Sequence, residues 1–470
     1  MAAAMGAQRQ GKLPEIVAGL SIDSRSIAGG EAFFAITGDN RDGHDFVAAA
    51  LAGGAGIAVV ARGKREALPK EAPLLLVNDV LEGLRDLARA ARERSQAKII
   101  AVTGSVGKTG TKEALRLVLA QSGPTHASVA SFNNHWGVPL SLARMPEGTR
   151  FGVFEIGMNH AGEIEPLTRL VRPHIAIVTA IAPVHLEYFG SLQAIADAKA
   201  EIFLGVEPGG TAIINRDTPH YERLKEAAER AGVRHVVSFG EHAEAQAKLL
   251  KLSLQSESST MQASILGTEV TYKLGAPGRH VAMNSLAVLA AASLAGADLA
   301  LAALSLATLE PPTGRGQRLT LNLRTGTALL IDESYNANPA SVVAALNLLG
   351  HTAVGKNGRR IAVLGDMLEL GAAGPDLHRG LSDAVISQEI DLVFCAGPLM
   401  AALWEALPSE RRGGYAETAA QLEAQLLPAV RAGDALMVKG SHGSNMAPLV
   451  KALMRRYSRQ DAEIEAPARG

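Results

Sequence analysis

Apolar residues gather in short runs of strand length, divided by polar turns and by stretches of helical spacing. In residues 1–96 the runs are EAFFAIT, GIAVVA and LLLVNDV, with a small-residue helix candidate, FVAAALAGGA, and a charged helical segment, EGLRDLARAARERSQ. In residues 97–312, KIIAVTG, FGVFEIG, HIAIVTAIA and GTAIINRD are each followed by a polar turn and an amphipathic stretch. That alternation predicts a mostly parallel sheet covered on both faces. Residues 246–274 change character: KLLKLSLQ, MQASIL and EVTYKL predict antiparallel strands. Two Ala/Leu-rich helices follow and end at Glu310-Pro311-Pro312, where paired prolines break the helix and mark a boundary. Residues 313–457 alternate again, with TALLIDES, RRIAVLGD, DLVFCAG and GDALMVKG as strands. The expected fold is α/β in three domains, 1–96, 97–312 and 313–457, with a disordered tail over 458–470.

Composition narrows the function. The 470 residues carry a net charge of −1 and only 4% aromatics, without a basic stripe, so a nucleic-acid surface is disfavoured. No run of apolar residues is long enough to span a bilayer, and MAAAMGAQRQGKLPE lacks the continuous apolar core of a secretion signal. Cys395 is the single cysteine, which excludes an intrachain disulfide, and DLVFCAG makes it a buried strand residue. The expectation is a cytoplasmic protein without membrane insertion.

The densest chemistry lies in AVTGSVGKTGT. A standard P-loop, G-x-x-x-x-G-K-[ST], would place a glycine at Val102; here the first is Gly104, and the loop is shorter. Its working parts remain. Thr103, Gly104, Ser105, Val106 and Gly107 form a turn whose bare N–H groups can face an anion, and a helix N-terminus follows. Lys108 can reach outer phosphates, and Thr109 can offer its hydroxyl to Mg²⁺. ATP is therefore an expected ligand. Glu155, at the end of FGVFEIG, is either a surface acid or a Mg²⁺ ligand. His185, in AIAPVHLEYFG, is either a structural residue or part of the site. Lys199, in AKAEIF, reads locally as a lysine that snorkels to solvent. His280 and Asn284 in GRHVAMN suit an adenine ring and its edge. Arg315 in PTGRGQR stands at a domain boundary, where closure could bring it to a γ-phosphate. IDESYNANPAS packs acidic, amide and aromatic groups after a strand, and Asp366 follows RRIAVLG in the same way.

TGSVGKT, NNHWGVPLSL, FEIGMNHAGEI, PVHLEYFG, AKAEIF, GRHVAMN, PTGRGQR, ESYNANPAS, LGDMLELG and VKGSHG follow one another in this order from Thr103 to Gly443, and, with the N-terminal stretch below, the resemblance covers roughly residues 20–455. The set resembles the Mur ligases, and YNANP with GDMLELG looks most like the branch that adds D-Ala-D-Ala to UDP-MurNAc-tripeptide. DSRSIAGGEAFFAITGDNRDGHDF is similar to that family's UDP-sugar-binding domain. The resemblance implies an N-terminal UDP-sugar-binding domain, a central P-loop ATPase-like domain and a C-terminal Rossmann-like domain in a monomeric enzyme. It also implies an acyl phosphate made with ATP and Mg²⁺ and captured by an amine. By the same resemblance Thr109, Glu155, His185 and Lys199, the last as a carbamate, surround metal. His280 and Asn284 hold adenine, Asp332 or Glu333 the ribose, and Arg315 the γ-phosphate. Ser24 and Arg25 contact uridine, while Asn133, Asn134, Tyr335, Asn336 and Asn338 line the substrate side. His442 stands where many relatives carry Arg. A nucleotide-dependent switch or transport ATPase would share the loop but gives no reason for YNANP or GDMLELG.

Overall fold

The structure, a computed structural model, describes residues 1–38, 40–129, 131–184, 186–255 and 257–457; His185 and the expected tail lie outside the described residues. Among the described residues the strands form three sheets. The first orders Gln8–Gln10, Leu74–Val77, Ile57–Ala61, Ala32–Phe34 and Leu20–Ser21, parallel except for its first edge. The helix Val80–Arg94 leads out of it, and at its far end Arg92 donates to the carbonyls of Val171 and Arg172, both at 2.8 Å.

The second sheet has nine strands. Its centre is Lys98–Thr103, flanked by Phe151–Glu155 and Ile175–Val178, and parallel pairing extends from Thr125–Ala127 to Ala247–Leu254. These central strands are buried almost throughout, as expected of a parallel sheet packed on two faces. Lys108–Ala120 and Arg279–Leu294 cover one face; Ile164–Val171, Leu192–Ala200 and Tyr221–Arg230 cover the other. The chain leaves Lys98–Thr103 toward one edge and returns on its other side at Ile175–Val178. Such a reversal opens a crevice at the strand ends. Residues 246–274 are antiparallel at the opposite edge, as the sequence predicts.

The third sheet orders Gln317–Leu323, Gly326–Glu333, Ala435–Lys439, Arg360–Gly365, Leu392–Ala396 and Arg412–Ala416. Its first pair is antiparallel and the rest are parallel. The last strand in sequence, Ala435–Lys439, is inserted between the second and third, so two loops, 334–338 and 366–370, flank its end. No helix among the described residues is long and apolar enough to cross a membrane.

Candidate active site

The phosphate loop is clamped by its neighbour strand. Gly104 has φ 145°, and a Cβ there would lie 2.0 Å from Thr179 Oγ1. That hydroxyl donates to the Val106 carbonyl at 2.6 Å. Ser105 N donates to Ala180 O at 2.7 Å, and Ser105 Oγ donates to Ala182 O and accepts from Ala182 N, both at 3.0 Å. Thr103 is fully buried beneath. Gly107, at φ 88°, opens the helix Lys108–Ala120 from the left-handed region, where a residue with a Cβ is strained. Lys108 is half-buried and donates to Gly104 O at 2.6 Å. Its pKa is lowered by burial first, with Arg315 adding to that and Glu155 opposing it.

Glu155 ends its strand with a side chain that is buried against neutral donors. Oε2 accepts from Thr109 Oγ1 at 2.8 Å and Oε1 from Asn133 Nδ2 at 2.7 Å. The expected metal-binding hydroxyl and carboxylate are therefore in contact. Asn133, expected on the substrate side, spends its amide on Glu155. Asn134 closes a turn instead, accepting from Gly137 N at 2.9 Å.

Lys199 does not snorkel. It is 1% exposed, on the helix face turned into the sheet, because Ile195, Ala196, Ala198 and Ala200 around it are buried too. No hydrogen bond to its ammonium is made among the described residues. Burial, with Lys108 as the nearby positive charge, pushes its pKa well down against Glu201, Glu163 and Glu155. A buried amine driven toward its neutral form is nucleophilic, which suits reaction with carbon dioxide and conversion to an anionic ligand. Two residues on, the Glu201 carboxylate accepts from Gly162 N at 2.7 Å, Ile164 N at 3.1 Å and Glu165 N at 3.2 Å. It thereby caps the helix Ile164–Val171 and ties the loop after Glu155 to the Lys199 helix.

The third sheet faces this crevice. Arg315 lies 4.1 Å over the Tyr335 ring and donates to Ser131 Oγ at 3.3 Å, a bond from the boundary segment to the central domain. Ser131 Oγ is also 3.5 Å from Thr109 Oγ1. The Tyr335 ring lies 5.8 Å from that of His442. The two acids separate by their partners. Asp332 is buried, and its Oδ1 accepts from Ser334 N at 3.0 Å and Ser334 Oγ at 2.6 Å, so it holds its own turn. Glu333 remains half-buried with Oε2 on Lys439 Nζ at 3.1 Å. His280 is exposed in the crevice at the first turn of Arg279–Leu294. Asn284 sits against the phosphate loop: a Cβ on Gly107 would be 2.5 Å from its Nδ2. Asn338 caps the helix Pro339–Gly350 through Ser341 N at 2.9 Å, and Asn336 Oδ1 accepts from Ala337 N at 2.9 Å. Asp366 accepts from Met400 N at 2.9 Å, and its burial raises its pKa. Ser24 and Arg25 form a turn on the first domain, where Arg25 is paired with Asp23 at 2.7 Å.

Among the described residues no cluster of three or more His, Cys, Asp or Glu gathers. A hard cation here would use the Thr109 and Glu155 oxygens, with Lys199 once it carries a carboxylate; that donor set fits Mg²⁺. The crevice thus joins a phosphate cradle, an oxygen-donor corner and, across from them, Arg315. Ser131, Glu201 and Lys439 are the parts the sequence reading missed. Ser131 is flanked by apolar residues in a loop whose signal is the following NNHWG, Glu201 reads as an ordinary helix acid, and Lys439 as the polar end of an apolar strand.

Comparison with known proteins covers the whole arrangement. Residues 16–92 match the family model described as Mur ligase family, catalytic domain; 102–292 match Mur ligase middle domain; 314–442 match Mur ligase, glutamate ligase domain. The chain is 35% identical over 438 residues to the UDP-N-acetylmuramoyl-tripeptide--D-alanyl-D-alanine ligase of Escherichia coli, covering 92% of this chain and 93% of that one. A crystal structure of MurF from Acinetobacter baumannii superposes with a TM-score of 0.83 at 29% identity, over 97% of both chains. The fold is also that of MurF ligase from Thermotoga maritima in complex with ADP, with a TM-score of 0.76 at 24% identity over 94% of this chain and 98% of that one.

Proposed function

The chain belongs to the Mur ligase family, and from that membership we propose that it joins D-Ala-D-Ala to UDP-MurNAc-tripeptide in peptidoglycan precursor synthesis, using ATP. The observation that carries this reading is the match, over more than nine-tenths of both chains, to ligases named for that reaction. The terminal carboxylate of the tripeptide attacks the γ-phosphorus of ATP, giving an acyl phosphate and ADP. The amine of D-Ala-D-Ala then adds to the acyl carbon, and phosphate leaves with the C–O bond pair as the amide forms.

The residues divide this work. The loop N–H groups and Lys108 hold the phosphates, and Arg315 offsets charge on the γ-phosphoryl group from the opposite side. Thr109, Glu155 and a carbamylated Lys199 would hold Mg²⁺, which when bound screens the repulsion between carboxylate and phosphate. His185 joins them by the family resemblance. Glu333 takes the ribose, with His280 and Asn284 toward the base. Asn336 faces the incoming dipeptide, Tyr335 backs the Arg315 guanidinium on that side, and Ser24 and Arg25 face the uridine end. The three sheets support the division into residues 1–96, 97–312 and 313–457. ATP and a UDP-linked sugar are cytoplasmic compounds, which supports that location.

The test is phosphate release from ATP by purified protein. Release is expected only when UDP-MurNAc-tripeptide and D-Ala-D-Ala are both present, with the pentapeptide as product. Turnover with a single free amino acid in place of the dipeptide, and none with the dipeptide, would overturn the assignment.

A further inference from the structure

Lys439 is 3% exposed on its side chain, at the end of the inserted strand Ala435–Lys439. A buried ammonium is costly unless its protons are matched. Two are: Nζ donates to Glu333 Oε2 at 3.1 Å and to Asn336 O at 3.0 Å. The contact is written into the sheet, since Lys439 is the register partner of Glu333 on one side and of Leu364 on the other. Glu333 is left asymmetric. Oε2 is held by Lys439, whereas Oε1 receives no hydrogen bond among the described residues and lies beside Gly316, whose Cβ would sit 3.3 Å away. A free carboxylate turns broadly about its last torsion. One pinned oxygen stops that rotation and presents the other as an acceptor.

We propose that Lys439 is a positioning residue: by pinning Oε2 of Glu333 it aims Oε1 at a ribose hydroxyl of the nucleotide, and by holding Asn336 O it sets the loop that faces the second substrate. This rests on the reading of Glu333 as the ribose acid. The same ammonium thereby orders one wall of the nucleotide site and one wall of the amine site.

The test is calorimetric binding of ADP, 2′-deoxy-ADP and 3′-deoxy-ADP to the full chain. Wild type is expected to prefer ADP to one deoxy analogue by about tenfold or more, the worth of a hydrogen bond to a charged acceptor. K439M is expected to bring that preference to within about twofold, while its affinity for that analogue changes little, because the bond in question is already missing there. Loosening of the domain as a whole would weaken all three ligands together and leave the ratio intact. A K439M protein that keeps the wild-type ratio overturns the proposal, as does a wild type that binds all three alike. If K439M does not fold, K439R decides: its fork keeps the charge but cannot repeat both contacts of a single nitrogen, so its ratio should fall about threefold or more. A wild-type ratio in K439R overturns the proposal equally. These titrations need neither UDP-tripeptide nor D-Ala-D-Ala, so failure of the ligase assignment and failure of the lysine's role give different results.

Discussion

At the scale of single residues, the sequence is clearest where backbone conformation dictates chemistry and least clear where burial does. GSVGKT was legible as a phosphate loop because glycine, lysine and threonine at those spacings do one job together. Its two glycines are not equivalent to a third nearby. At Gly104 a methyl group would strike Thr179 Oγ1 at 2.0 Å, the hydroxyl that anchors Val106, on a backbone at φ 145°. G104A is expected to weaken ADP binding by about tenfold or more, read by calorimetry, since both the clash and the strain must be relieved by moving the loop. Gly110 lies inside the helix Lys108–Ala120, where a Cβ would meet nothing within 4 Å. G110A should therefore raise stability by about 0.5–1 kcal/mol in a urea titration, through the unfolded chain's lost freedom. Lys199 is the opposite case. AKAEIF reads locally as a lysine reaching for water; only the packing of its helix against the sheet shows that water is out of reach. K199A is expected to lower kcat by about 100-fold or more while ADP still binds, with partial recovery in added chloride if a small anion can replace the carbamate. Unchanged turnover in K199A would remove that role.

Among elements, the central strands and the antiparallel edge of the second sheet were readable, and the edge strands of the third sheet were not. KIIAVTG and RRIAVLGD are continuous apolar runs because both faces of their sheets are covered. Gln317–Leu323 and Arg412–Ala416 lie at the two edges of the third sheet, are exposed or half-buried at most positions, and in the second case carry two glycines. Their strand character comes from a neighbour's open hydrogen bonds rather than from their own composition. Loop-to-helix couplings were equally hidden, and Glu201 is the clearest example. Its carboxylate serves three backbone N–H groups at the start of Ile164–Val171 from a helix 36 residues or more away in sequence. E201A leaves those donors to water and to the helix dipole alone. It should cost about 1–3 kcal/mol of stability by urea unfolding. Because Glu201 lies two residues after Lys199, kcat should fall as well. E201Q keeps the shape and one good acceptor, and should recover most of the stability. Equal stability of E201A and wild type would show that the cap contributes nothing.

At the scale of the molecule, the site is complete only because separate sheets meet. Arg315 belongs to the boundary segment, yet its partners are Ser131 of the central sheet and Tyr335 of the third. A second seam joins the same two bodies where Glu187 N meets Glu369 O at 3.4 Å. The sequence placed an arginine at a hinge; it could not say that Tyr335 would stack beneath it, because that pairing depends on how the two sheets dock. The arrangement separates binding from chemistry. The phosphate loop, Lys108 and Thr109 stay in place when Arg315 is removed, so R315A should bind ADP within about threefold of wild type. It should nevertheless lose about 100-fold or more in kcat, the usual effect of deleting one donor aimed at transition-state charge. Tyr335 acts through the guanidinium, so Y335A should cost less than R315A, and the double variant should resemble R315A alone rather than the sum of the two. Additive losses in that double-mutant cycle would mean that Tyr335 meets substrate independently of Arg315, and the stacking seen between them would then be incidental to catalysis.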